Sequence, residues 1–83
     1  GTMMKTVLTS CWTAARRAAL RFQMRSLENH IDCCDECLEC VRDPVAALRI
    51  RTSRALSCRE LARVRAEYNA TFQPGVRKVW AAP

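Results

Sequence analysis

Glycine and proline are scarce in this chain, with two glycines and three prolines among 83 residues. An all-β fold is excluded, because its many tight turns need more of both residue types. Alanine, leucine and arginine, which favour the α-helix, are abundant instead. The composition therefore predicts an all-α protein.

Long apolar runs are also missing, because arginines interrupt every apolar stretch well before the roughly 18 residues that a bilayer crossing needs. We therefore expect a soluble protein with no membrane partner. No signal peptide is visible, so a reducing, cytoplasmic compartment is expected for the six cysteines.

The residue sets of common catalytic sites are lacking as well. The chain has one histidine, His30, and contains neither a Ser-His-Asp set nor a glycine-rich loop. Hydrolase and nucleotide-binding chemistry have no residues to support them, so a non-enzymatic protein is expected.

Charge is abundant but segregated along the chain. Residues 1–27 carry +5 without any acid, residues 28–43 carry −5, and residues 44–83 carry +6. The acidic stretch is expected to fold back on the following basic stretch, where exposed ion pairs bias the register of a hairpin more than they stabilise it. The residues expected to meet are Asp32, Asp35, Glu36 and Glu39 on one side and Arg49, Arg51 and Arg54 on the other.

The basic segments also support an alternative function. Twelve of the fourteen basic residues are arginine, and arginine suits bidentate contacts to phosphate as well as ion pairs between helices. The alternative is a basic nucleic-acid-binding regulator that contacts phosphates through Arg16, Arg17, Arg21 and Arg25.

Apolar residues recur with alternating spacings of four and three from Leu20 to Val41, which predicts a helix with an a/d seam. A second stripe upstream has a different phase and consists of Leu8, Cys11, Ala15, Ala18 and Phe22. Either one long helix from about residue 6 to 41 exposes a second face, or the helix breaks near residues 22–26. In the second case the N-terminal segment would fold back as a third helix.

Pro44 predicts the end of this helix and the start of the next, with Asp43 as N-cap. A break at Ser57, which has capping-box spacing to Glu60, is an alternative to one continuous second helix. The predicted fold is an antiparallel helical hairpin with its turn at residues 42–44, in which Cys34 faces Thr52 and Ile31 faces Ala55. The predicted domain covers residues 5–72, preceded by a disordered tag remnant at 1–4 and followed by a tail at 73–83.

Two helices alone would leave much of each apolar stripe in water, so we expect two hairpins to pair as a homodimeric bundle. The residues predicted to form the core and the dimer seam are Leu20, Met24, Leu27, Ile31, Cys34, Leu38, Val41, Leu48, Leu61 and Val64.

The cysteines permit two interpretations. In the first, they are small apolar residues buried between helices, and no cofactor is bound. In the second, zinc stabilises the chain through Cys34, Cys37 or Cys40 together with Cys58 or His30. A continuous helix disfavours zinc, because His30 and Cys40 would lie ~15 Å apart along its axis.

The stretch RSLENHIDCCDECLECVR, residues 25–42, together with the chain length and the arginine bias, resembles the small accessory proteins of the early regions of lambdoid phages and prophages. This resemblance covers about a quarter of the chain. It implies a cytoplasmic protein of a bacterial host that acts by binding a host or phage protein, without catalysis. The function expected is therefore that of a small, self-associating helical interaction protein.

Overall fold

The structure, a computed structural model, describes the backbone of residues 2–72 and the side chains of residues 7–72. It contains two helices, α1 (Thr2–Cys40) and α2 (Pro44–Ala70), and no strand between residues 2 and 72. The predicted all-α helical hairpin is confirmed. α1 is one helix of 39 residues, so the N-terminal stripe belongs to it and forms no third helix. The predicted tail at 73–83 lies outside the described residues.

The turn is built as the sequence predicts. Asp43 has an extended backbone (φ −74°, ψ 122°), and its Oδ2 accepts a hydrogen bond of 3.1 Å from the Ala46 N–H. Pro44 occupies the first turn, where its missing N–H has no partner to lose. Beyond Pro44, α2 runs without interruption, so the alternative break at Ser57 does not form.

Replacing Asp43 with alanine should lower the free energy of unfolding by about 1 kcal/mol, because the first turn of α2 then loses its side-chain acceptor. Urea denaturation followed by circular dichroism measures this loss. Asp32→Ala is the matched control, since Asp32 is an exposed acid on α1. Equal losses in the two variants would show that the cap contributes nothing.

The two helices meet along a continuous seam in which the predicted 4-3 spacing of α1 is used. Leu20 and Cys34 of α1 and Leu61 and Val64 of α2 are buried, with 1 to 7% of their surface exposed. The remaining predicted seam positions before Asp43 are half-buried; they are Met24, Leu27, Ile31 and Leu38 of α1, and Val41 directly after it.

Leu48, which the sequence placed in the core, is 63% exposed and lies outside the seam. The α2 side of the seam instead follows residues 47, 50, 54, 57, 61, 64, 68 and 71, which are buried or half-buried at spacings of three and four. This register turns Leu48 outward together with Val45, which is 59% exposed.

The facing pairs differ from the predicted ones for the same reason. His30 contacts Ser53 at 3.0 Å, and Asp35 contacts Arg54 at 2.6 Å. Thr52 and Ala55, predicted to face Cys34 and Ile31, are exposed. The predicted antiparallel direction is correct, but α2 is rotated about its axis so that Ser53 and Arg54 turn toward α1.

α1 is twelve residues longer than α2 and extends beyond it at the N-terminal end. The described residues measure 62 × 27 × 13 Å, and a 39-residue helix accounts for ~58 Å of the longest dimension. Residues 7–12 of this extension are all exposed. The extension therefore presents side chains that α2 does not cover.

Candidate interaction surfaces

Arg17 of α1 holds the C-terminal end of α2. Its Nε donates to Thr71 Oγ1 at 3.0 Å, and its Nη2 donates to the Thr71 carbonyl oxygen at 2.9 Å. The guanidinium carbon also lies 3.9 Å from the centroid of the Phe72 ring. A cation at this position complements the negative end of the helix dipole and satisfies a carbonyl oxygen at the helix end.

Arg16 and Arg21 extend this contact. Arg16 pairs with Glu67 at 3.2 Å, and Arg21 donates to the Tyr68 hydroxyl at 3.5 Å. Of the four arginines predicted to bind phosphate, these two and Arg17 are therefore engaged within the chain. Arg25 is exposed and makes no ion pair or hydrogen bond within the described residues.

Thr71, Tyr68 and Phe72 were not predicted as partners of the arginines. Tyr68 and Phe72 also pack edge to face, with ring centroids 5.2 Å apart. One sequence feature could have indicated this contact. Two aromatic residues and a threonine lie at the end of α2, opposite an acid-free and arginine-rich stretch of α1.

A second charged contact crosses the seam near the turn. Arg54 donates from Nε and Nη2 to the two carboxylate oxygens of Asp35, at 2.6 and 3.3 Å. The hydrogen bond from Arg54 to Asp35, reinforced by their opposite charges, raises the pKa of Arg54 above its ordinary value. The guanidinium is therefore charged across the whole working pH range.

The rest of the predicted fold-back of acids onto arginines does not form. Asp32, Glu36 and Glu39 are exposed and make no ion pair within the described residues. The same holds for Arg49 and Arg51. The physical reason is helical phase, because the three acids lie away from the α1 seam positions.

Other ion pairs link exposed residues of the hairpin. Glu28 of α1 pairs with Arg65 of α2 at 3.0 Å. Along α2, Arg63 pairs with both Glu60 and Glu67. The hydrogen bond from Arg63 lowers the pKa of Glu60 below its ordinary value, so this ion pair persists to lower pH than an unperturbed glutamate would allow.

The cysteines divide into buried and exposed thiols. Cys34 is buried in the seam, with its Sγ 3.6 Å from His30 Nε2. Cys58 is half-buried, 3.6 Å from Arg54 Nη1. The exposed thiols are Cys11, Cys33, Cys37 and Cys40.

The zinc set predicted from the sequence is not brought together. No group of three or more histidine, cysteine, aspartate or glutamate side chains within the described residues has a geometry that could hold a metal ion. The α-helix explains this result, since Cys34 faces α2 whereas Cys37 and Cys40 are exposed on the same helix. Buried packing in the seam, the first interpretation, describes Cys34, but not the exposed cysteines.

The phase-shifted N-terminal stripe forms an exposed apolar row on α1. We call it the outer stripe and define it as Leu8, Cys11, Ala15, Ala18 and Phe22, all exposed. Leu8 and Phe22 are 64 and 76% exposed, and Trp12 beside them is 66% exposed. The spacings of three and four resemble those of the seam, but α2 does not cover this face.

A shallow open groove next to the seam is lined by Phe22, Gln23, Ser26, Leu27, Glu60 and Val64. Neither helix, over the described residues, has an apolar stretch of the length and hydropathy that a membrane crossing requires.

Comparison with protein-family models, with curated proteins and with solved structures finds no match to this chain.

Proposed function

We propose that this chain is a small, non-enzymatic helical interaction protein that self-associates through the outer stripe of α1. The observation that carries the proposal is a second a/d-spaced apolar row, two heptads long, on a helix whose other row is already covered by α2. Isolated exposed apolar residues are common on protein surfaces, but a contiguous row with heptad spacing is typical of a helix–helix contact.

The composition of the stripe favours a helix as its occupant. Ala15 and Ala18 are small, so a second helix can approach closely at the centre, while Leu8 and Phe22 supply large apolar surface at the two ends. No charged residue belongs to the stripe. A second copy of the chain is always available at equal concentration, and pairing of two hairpins is a common solution for small helical chains.

The resemblance of residues 25–42 to phage accessory proteins supports a wider version of this proposal. In that version the assembled protein binds a host or phage protein in the cytoplasm of a bacterial cell. The exposed residues beyond the outer stripe would supply the surface for that partner.

Nucleic-acid binding is the alternative function, and the structure favours it less. Three of the four arginines on which it rests already donate hydrogen bonds to the end of α2. Binding to phosphate would have to compete with these contacts. If the protein binds nucleic acid through these arginines, its affinity for DNA or RNA should fall steeply as the salt concentration rises.

Replacing Ala18 with glutamate should raise the dissociation constant of the assembly at least about tenfold, because a carboxylate would be buried against apolar side chains. Sedimentation equilibrium in the presence of a reductant measures this change without disulfide cross-links between exposed thiols. Helicity by circular dichroism should stay unchanged, since Ala18 is exposed in the hairpin.

The matched control is Gln23→Glu, which adds the same charge to an exposed position of α1 outside the stripe. This variant should associate like the unmodified chain. A chain that stays monomeric at all concentrations would contradict the proposal, and so would equal effects of the two substitutions.

A further inference from the structure

The unpaired acids of α1 continue the line of the outer stripe. With Arg25 and Asn29 between them, the outer stripe and the acids follow one uninterrupted 3-4 spacing along the outward side of α1. We call Asp32, Glu36 and Glu39 the outward acidic face. All three are exposed and without an ion pair in the described part of the chain. One side of α1 is thus apolar in its first half and acidic in its second half.

α2 presents the opposite charge on its own outward side. Arg49 and Arg59, which we call the outward basic face, are exposed and make no ion pair or hydrogen bond within residues 7–72. Exposed Val45 and Leu48 lie on the same side of the helix. Further along α2, the outward positions are the small residues Ala62 and Ala66, which are also exposed.

The outward acidic and basic faces lie at matching heights along the hairpin. Because Asp35 contacts Arg54, Asp32 is level with residue 57 and Glu39 with residue 50. Asp32 and Glu39 are therefore within ~3 Å, measured along the axis, of the levels of Arg59 and Arg49, while Glu36 lies between these two levels. The contact between Arg21 and Tyr68 continues this register and places Phe22 level with residue 67, ~1.5 Å along the axis from Ala66.

We infer that the outward side of α1 in one copy docks on the outward side of α2 in a second copy of the same orientation. This inference rests on the proposed self-association and names its mating surface. Asp32 and Glu39 then meet Arg59 and Arg49 of the next chain. Of the outer stripe, Phe22 and Ala18 lie level with the C-terminal end of that chain's α2, and the stripe from Leu8 to Ala15 extends beyond it. Complementary charges set the register and the partner choice of such a contact more than its strength.

Pairing of α1 with α1 satisfies these charges less well. A parallel pair sets the outward acidic face against a copy of itself. An antiparallel pair centred on Ala15 leaves the outward acidic face without a partner, because residues 32–39 then extend beyond the other helix. Like charges at facing positions oppose association, so docking of α1 on α2 is the arrangement that neutralises both faces.

This contact joins the outward side of α1 to the outward side of α2, so a chain that has docked through one of these sides still has the other side free. Such a heterologous interface continues beyond the dimer and gives a ring if the rotation closes, or a filament if it does not. An α1–α1 pair would stop at two chains. Sedimentation velocity of the unmodified, reduced chain over a concentration series should therefore reveal species larger than a dimer.

Two charge-reversed variants test the mating surface. The first carries Asp32→Lys, Glu36→Lys and Glu39→Lys, and the second carries Arg49→Glu and Arg59→Glu. Each variant alone has two outward faces of the same sign, so its dissociation constant should rise at least about tenfold. A 1:1 mixture should assemble again, because each reversed face then meets a face of opposite charge.

Both variants should keep the helicity of the unmodified chain, because the reversed residues are exposed and lie outside the seam. This inference would be overturned if the unmodified chain assembled no further than the dimer, or if both charge-reversed variants assembled as strongly as the unmodified chain. Either result would leave the proposed self-association standing. A mixture that stays monomeric would also overturn it. A chain that is monomeric at every concentration would overturn both proposals.

Discussion

Replacing Leu61 with alanine will lower the free energy of unfolding by about 3 kcal/mol. Leu61 is 7% exposed and lies at the centre of the α2 side of the seam, next to the fully buried Val64. The substitution removes three buried carbon atoms and leaves a cavity that two packed helices can close only in part. Helix propensity does not offset the loss, since leucine and alanine both favour the helix.

The effect is large relative to the whole protein. Within the described residues, Leu20, Cys34, Leu61 and Val64 are the buried apolar side chains. A core of this size supplies a few kcal/mol of stability. The Leu61→Ala chain should therefore be largely unfolded at room temperature, with a strongly reduced circular dichroism signal at 222 nm and no cooperative urea transition.

Leu48→Ala is the matched control, because it makes the same change on the same helix at a residue that is 63% exposed. Its free energy of unfolding should change by less than about 0.5 kcal/mol when measured at low protein concentration. If Leu48→Ala proved as damaging as Leu61→Ala, the orientation of α2 that turns Leu48 outward would be wrong. The register predicted from the sequence, with Leu48 in the core, would then be preferred.

The contrast between the two leucines shows how far periodicity predicts this fold. α1 was predictable because its seam positions from Leu20 to Val41 are apolar without exception, so the 4-3 spacing has one interpretation. Asp43 and Pro44 were equally clear, since the geometry of an N-cap and of proline is decided locally.

α2 was less predictable because its seam contains polar residues. Arg54 and Ser57 occupy positions at which a pattern search expects apolar side chains, and Val45 and Leu48 occupy outward ones. Arg54 is tolerated there because Asp35 accepts two of its hydrogen bonds. Such a contact depends on both helices together, so inspection of α2 alone does not reveal it.

The charges were predictable by segment but not by partner. Segregation of acids and bases along the chain is visible in the sequence, and one predicted pair, Asp35 with Arg54, forms. Helical phase decides which other charges reach α2. The basic N-terminal segment was assigned to phosphate, yet three of its arginines bind within the chain, to Glu67, Tyr68 and Thr71.

The contact of Arg17 with the end of α2 carries the second large effect. Arg17→Ala should lower the free energy of unfolding by about 2 kcal/mol. The variant loses two charge-assisted hydrogen bonds to Thr71 and the stacking of a cation over Phe72. It also removes positive charge from the negative end of the helix dipole.

The Arg17→Ala variant should lose stability most strongly at the C-terminal end of α2, in addition to the loss in the global free energy of unfolding. Hydrogen exchange should accelerate most at the amides of Thr71 and Phe72, which donate to carbonyls of the last turn of α2. Amides around Asp43, at the other end of α2, should keep the protection expected from the change in global stability alone. Urea denaturation and residue-resolved hydrogen exchange measure the two quantities on one sample.

Two variants separate this contact from general effects of charge. Arg25→Ala removes the same side chain from an exposed and unpaired position on α1, so it should change stability by less than about 0.5 kcal/mol. Arg17→Lys keeps the charge, but a lysine ammonium cannot donate to Thr71 Oγ1 and the Thr71 carbonyl oxygen together as the planar guanidinium does. This variant should therefore recover less than half of the free energy of unfolding that Arg17→Ala loses. Equal stability of Arg17→Ala and Arg25→Ala would show that the N-terminal arginines do not anchor α2. They would then be free to bind phosphate, and the nucleic-acid alternative would gain the residues that the hairpin now occupies.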